Sequence, residues 1–185
     1  MKRQPLYVAA AAIAAVAALV LTVIQVTNPT FDSEFTGAVD WANEISFSLL
    51  AAASLVAMWG MITESIAPRV GGLMFIGGWG LLLIGLLPGF ALGYSPGWFA
   101  VVGLPGNLIA LIGLTLCAVY SWRRRTLPRV IAVLLPLSVL LGVGAAEVGG
   151  SIVTAVVWGA ISFRLAEPRT LVDHRQTRVV DGRDR

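Results

Sequence analysis

Arg129–Phe163, reading RVIAVLLPLSVLLGVGAAEVGGSIVTAVVWGAISF, decides how often this chain crosses a membrane. The stretch holds about 35 residues, and Glu147 is the one acid between its ends. A single crossing of a hydrocarbon layer of about 30 Å takes about 20 residues. Gly142, Gly144, Glu147, Gly149 and Gly150 interrupt the apolar run near its middle. Glycine weakens a helix interior and suits a turn. The stretch therefore predicts a tight hairpin of two short helices, about 129–146 and 148–163. The competing reading is one long helix with a re-entrant end.

Upstream, four longer apolar runs are separated by short polar links. They predict helices over about 5–27, 41–63, 70–92 and 99–121. Lys2 and Arg3 precede the first run, as in a signal peptide. The run is long, and no small-x-small cleavage pattern precedes Asn28, so an uncleaved first helix is expected. Asp40 is placed to cap the second helix. The chain has 57% hydrophobic and 12% charged residues, with a mean hydropathy of +0.84. A soluble domain of this length carries about a quarter charged residues. The expected fold is thus an all-α polytopic membrane bundle of six helices. It forms one transmembrane domain over 1–163, followed by a flexible charged cytoplasmic tail over 164–185.

The charges orient such a bundle. With six spans, all 13 Lys and Arg residues fall in the N-terminus, the links near 64–69 and 122–129, and the tail. The other three links hold none. Basic short loops mark the cytoplasmic side, so both termini are expected there, in a multi-pass protein of the cell membrane. The same placement explains the pI near 9.6 without nucleic acid as a partner. Asp32, Glu34, Asp40, Glu44 and Glu147 fall on the opposite side. Arg outnumbers Lys twelve to one, which together with heavy Ala, Gly and Val usage suggests a prokaryotic source.

Few residues carry chemistry. Asn107 follows Pro105-Gly106 about eight residues into the fourth helix, near mid-membrane at about 1.5 Å per residue. Proline lacks an N–H and frees the carbonyl four residues back, at Val101. A polar amide beside a freed carbonyl in a broken helix suits an ion or solute site. The ordinary structural reading is an amide bonded to a neighbouring helix. Asn43 and Glu44 lie one turn inside Trp41, with Asp40, Glu44 and Ser48 sharing a face. Intramembrane carboxylates point to function, whereas a solvated first-turn acid is the ordinary alternative. Glu147 at the hairpin tip has the same two readings. Convergence of Glu44 and Glu147 would make a cation or proton site.

The third span carries Gly85, Gly89 and Gly93 at four-residue spacing, a small-residue packing face. Arg123, Arg124 and Arg125 form a stop-transfer cluster suited to anionic lipid headgroups. Val70-Gly71-Gly72 with Trp79-Gly80 is echoed by Val148-Gly149-Gly150 with Trp158-Gly159, a faint hint of an inverted repeat. Metal, nucleotide and nucleophile motifs are absent, Cys117 is the single cysteine and His174 the single histidine. No metal or cofactor is expected. The leading expectation is a non-enzymatic integral membrane protein, either an accessory or assembly subunit or a small-ligand binding module. Its partners would be the lipid bilayer, a second copy or another membrane protein. The alternatives are a small solute or ion transporter or channel using a broken fourth helix, and a membrane enzyme acting on lipid.

Overall fold

A computed structural model describes residues 5–28, 35–94 and 99–167. Among the described residues the chain is all helical, with six α-helices. They are α1 (Pro5–Thr27), α2 (Ala38–Thr63), α3 (Arg69–Leu92), α4 (Phe99–Arg124), α5 (Arg129–Gly144) and α6 (Ser151–Ala166). Helices α1 to α4 are long and apolar enough to cross a membrane, at about 35–39 Å by helix rise. Helices α5 and α6 have 16 residues each, about 24 Å. The protein is a multi-pass membrane protein.

The helices run alternately up and down. Each packs on its neighbours in sequence, and α6 returns to pack against α1, so the bundle closes into a ring. This arrangement gives two ends. The arginine-rich end carries the α2–α3 and α4–α5 links. The hairpin end carries the α3–α4 link and the α5–α6 turn.

Several expected boundaries shift. Asp40 is not the N-cap of α2. Gly37 holds that position, and Asp40 sits three residues in. Its Oδ2 accepts hydrogen bonds from the backbone N–H groups of Gly37 at 2.9 Å and Thr36 at 3.1 Å. A carboxylate reaching back from the first turn satisfies otherwise orphan donors, so the helix starts three residues earlier than expected. Helix α4 continues to Arg124, three residues past the expected end. The expected 129–163 hairpin forms, with a different turn. Helix α5 stops at Gly144, a 3-10 turn covers Ala146–Val148, and Gly149 follows at φ 87°. Gly150 lies against the backbone carbonyl of Leu141, where a Cβ has no room. Helix α6 runs on to Ala166, taking in the first residues assigned to the tail. The rest of the tail, including His174, lies outside the described residues.

Small residues set how close the helices come. Between the antiparallel α3 and α4, glycines face each other in pairs. A Cβ on Gly71 would lie 2.8 Å from the Gly113 carbonyl oxygen, and one on Gly113 2.6 Å from that of Gly71. Gly78 meets the Gly106 carbonyl in the same way. The spacing along each helix is seven residues, so one seam is kept over two turns. In lipid, where apolar side chains gain little from leaving the solvent, such close backbone contact holds helices together. In this seam a Cβ would meet backbone below 3 Å, closer than at Gly89 or Gly93. Gly85 and Gly89 are buried in α3, but Gly93 is its left-handed C-cap at φ 73°, and a Cβ there would touch nothing. On the other side of the ring, Ala11, Ala14 and Ala18 of α1 are wholly buried.

The two links at the arginine-rich end share one design. Ser65-Ile66-Ala67-Pro68-Arg69-Val70 and Arg125-Thr126-Leu127-Pro128-Arg129-Val130 are offset by sixty residues. Each opens on a left-handed residue, Ser65 at φ 57° and Arg125 at φ 54°. Each starts the next helix from an extended proline. Thr126 ties them together, its hydroxyl donating to the Ile66 carbonyl at 2.9 Å. Arg164 Nε donates to the Thr126 carbonyl, also at 2.9 Å. The α2–α3 and α4–α5 links thus share a sequence motif and a local backbone conformation.

Candidate functional site: a polar cavity within the ring

The half of the bundle nearer the arginine-rich end is filled by large apolar side chains. Met58, Met61, Phe75, Leu114, Leu135 and Ile161 are all at most 1% exposed. Phe75 stacks between Trp79 and Trp158, with ring centroids 5.1 and 5.9 Å away. Toward the hairpin end the filling changes, and a cavity opens. Every helix lines it: α1 with Leu21 and Gln25, α2 with Phe47 and Leu50, α3 with Trp79, α4 with Asn107. Helix α5 adds Ser138, Val139, Gly142 and Val143, and α6 adds Ser151 and Thr154.

The polar groups are partly wired together. Ser151 donates to Gln25 Oε1 at 2.8 Å, joining α6 to α1. The Thr154 hydroxyl donates to the Ser138 carbonyl at 3.0 Å, joining α6 to α5. Ser138 donates to its own helix at Leu135, 2.6 Å away. Asn107 Nδ2 donates to the Gly103 carbonyl at 3.1 Å. Trp79 Nε1 is buried and has no hydrogen-bond partner among the described residues. An unsatisfied buried donor costs about 1–3 kcal/mol, so an acceptor atom in the cavity would be stabilised there.

The space open to water centres is about 30 Å³. At about 10–15 Å³ per water it holds two or three waters. That is far below the roughly 300–1,000 Å³ of pockets for drug-sized molecules. The lining surface is mostly apolar, with a few amide, hydroxyl and indole groups set in it, so it suits only a very small occupant able to use those groups.

Of the residues singled out from sequence, Asn107 lines this cavity, and it bonds to its own helix rather than to a neighbour. The helix is not broken there: α4 runs continuously through Pro105 from Phe99 to Arg124. Glu44 is buried, at 7% exposure, and lies outside the lining. Asn43 Oδ1 and Ser48 Oγ, close to it on α2, are buried without partners among the described residues. Glu147 is exposed on the 3-10 turn, so the structure does not gather Glu44, Asn107 and Glu147 in one cavity. Arg123, Arg124 and Arg125 are exposed at the opposite end, and Arg129 lies over the Trp122 ring at 5.3 Å.

Sequence reasoning missed Gln25, Ser138, Ser151, Thr154 and Trp79. Gln25 had a signal, being a lone amide two residues before the end of α1. The hydroxyls had little, since Ser and Thr occur freely in membrane helices. Comparison with protein families, with curated proteins and with solved structures finds no match for this chain, so its own geometry carries the functional reading.

Proposed function

We propose that this protein is a non-enzymatic membrane module that holds a very small neutral polar molecule inside its helix ring. The observation that carries the reading is the cavity at the hairpin end. All six helices line it, its polar groups are uncharged, and the unpaired Trp79 N–H asks for an acceptor. Such groups bind and orient, and none of them titrates near neutral pH. The apolar plug beneath the cavity favours a binding module over an open channel. The arginine-rich end faces the cytoplasm in this reading, and the membrane is the cell membrane. The support is that every described basic residue lies at that end, from Arg69 to Arg164, which follows the positive-inside pattern.

The test is a titration of the purified protein with neutral solutes of two to five heavy atoms, such as formamide, acetamide and urea. The readout is the part of the tryptophan fluorescence that Trp79→Phe removes. A saturable change with at least one solute, lost in Gln25→Leu, is expected. A linear response to every solute, the same in both proteins, would contradict the reading.

A further inference from the structure

We propose that the α4–α5 link binds the phosphate group of an anionic phospholipid, through Arg125, Arg129 and Trp122, in the leaflet at the arginine-rich end. Trp122 lies in the last turn of α4 and Arg129 opens α5, and the link folds one onto the other. The Arg129 guanidinium stands 5.3 Å from the centre of the Trp122 ring. Between them the chain turns at Arg125, in the left-handed region at φ 54°. The link is anchored from two sides. The Thr126 hydroxyl donates to the Ile66 carbonyl, and Arg164 Nε donates to the Thr126 carbonyl.

The charges here are not spent within the protein. Residues 122–129 hold four arginines and no acid. All four are exposed, and no ion pair is found for them among the described residues. Arg164 differs, being paired with Glu167. Glu64, on the neighbouring link, has a partner of its own. The first turn of α5 carries no acid and no side-chain cap, so nothing in that turn competes with an outside anion. Stacking on an indole uses the face of a guanidinium and leaves its in-plane N–H groups free. Those donors match phosphate oxygens in pairs. Trp122 is 48% exposed, and an exposed indole at a helix end suits the headgroup level. One turn inward, Val119 on α4 and Val133 on α5 are exposed as well. A phosphate site bordered by apolar surface on its membrane side fits a phospholipid rather than a soluble phosphate.

The α2–α3 link is an internal control. It has the same left-handed opening and the same extended proline. Sixty residues before Trp122, Arg123, Arg124 and Arg125 stand Ile62, Thr63, Glu64 and Ser65. Ile62 is turned onto α3, where a Cβ on Gly72 would lie 2.5 Å from its side chain. Arg69 therefore has the backbone setting of Arg129 without the indole or the added charges. The turn alone does not make the site. The side chains on the α4–α5 copy do.

The experiment is tryptophan quenching of the whole protein in nanodiscs of equimolar phosphatidylcholine and phosphatidylglycerol, with bromine on the acyl chains of one lipid at a time. The readout is the fluorescence component that Trp122→Phe removes in the same background. Brominated phosphatidylglycerol is expected to quench it more than brominated phosphatidylcholine. Arg129→Gln or Arg125→Gln is expected to lower the relative affinity for phosphatidylglycerol about fivefold. Arg69→Gln, the same loss of charge on the other link, is expected to leave it unchanged. If Arg129→Gln does not fold, Arg125→Gln carries the test. Equal quenching by the two lipids overturns the proposal, because the arginines then serve another partner, such as an acidic protein segment. An equal fall in Arg69→Gln and in the α4–α5 variants also overturns it, since the attraction is then spread over the whole surface. Glycerol phosphate in the aqueous phase is expected to restore no more fluorescence than sodium sulfate at equal ionic strength. Full recovery with glycerol phosphate alone would assign the patch to a soluble phosphate and refute a lipid site.

Discussion

The two halves of this bundle are built from the same six helices and are packed by opposite rules. Toward the arginine-rich end, aromatic and aliphatic side chains fill the centre, while the paired glycines that let α3 and α4 touch backbone to backbone run along both halves. Toward the hairpin end, the centre holds amides, hydroxyls and an indole N–H, and the indole N–H has no partner among the described residues. Burying an unpaired polar group is unfavourable in any low-dielectric surrounding, so the unpaired Trp79 N–H is a local cost to the second half. Residues that cost stability without completing a core are where binding is to be sought. The contrast teaches that the first half holds the ring together and the second leaves room for an occupant.

Substitutions break this comparison in a graded way, each read by unfolding of the protein in detergent micelles or nanodiscs. The largest effect is expected at the plug. Phe75→Ala removes a side chain that touches two tryptophans, and the cavity left behind is expected to cost about 3–5 kcal/mol. Next comes the seam. Gly78→Ala drives a methyl group into the Gly106 backbone and is expected to cost about 1–3 kcal/mol by overpacking. A cost as small as that of Gly80→Ala, where a Cβ would meet nothing, would mean the seam is not closed.

Smaller effects are expected at the polar end. Ser151→Ala breaks the bond to Gln25, and interhelical hydrogen bonds in membranes are worth about 0.6 kcal/mol on average. Trp79→Phe is expected to be neutral or slightly stabilising, since it removes a donor that has no partner. A loss above about 2 kcal/mol would show that the indole N–H is already satisfied within the protein.

The sequence made the helices legible and the site largely not. Long apolar runs and one-sided arginines depend on the chain alone, so the six helices and the 129–163 hairpin could be read directly. The start of α2 was displaced because Asp40 bonds backward, a choice that depends on the link before it. The glycine seam was hidden for another reason. Seven-residue spacing on α3 becomes meaningful only when α4 presents Gly106 and Gly113 at matching heights. The same applies to the cavity. Asn107 stood out because it is an amide far inside an apolar helix. Gln25 and Ser151 are unremarkable until α1 and α6 close the ring and bring them within 2.8 Å. Glu44 was visible as an acid in a membrane helix, but its burial and the unpaired oxygens beside it are properties of the packed bundle.

The claim at the centre of this account is that the hairpin-end cavity is occupied by a small polar molecule. An experimental structure in a lipid nanodisc, at a resolution that shows single waters, tests it most directly. The account predicts discrete non-protein density in the cavity, within hydrogen-bonding distance of Trp79 Nε1 and of the Gln25–Ser151 pair. A cavity closed by side chains, or one empty of density with Trp79 Nε1 bonded to a protein carbonyl, would contradict it.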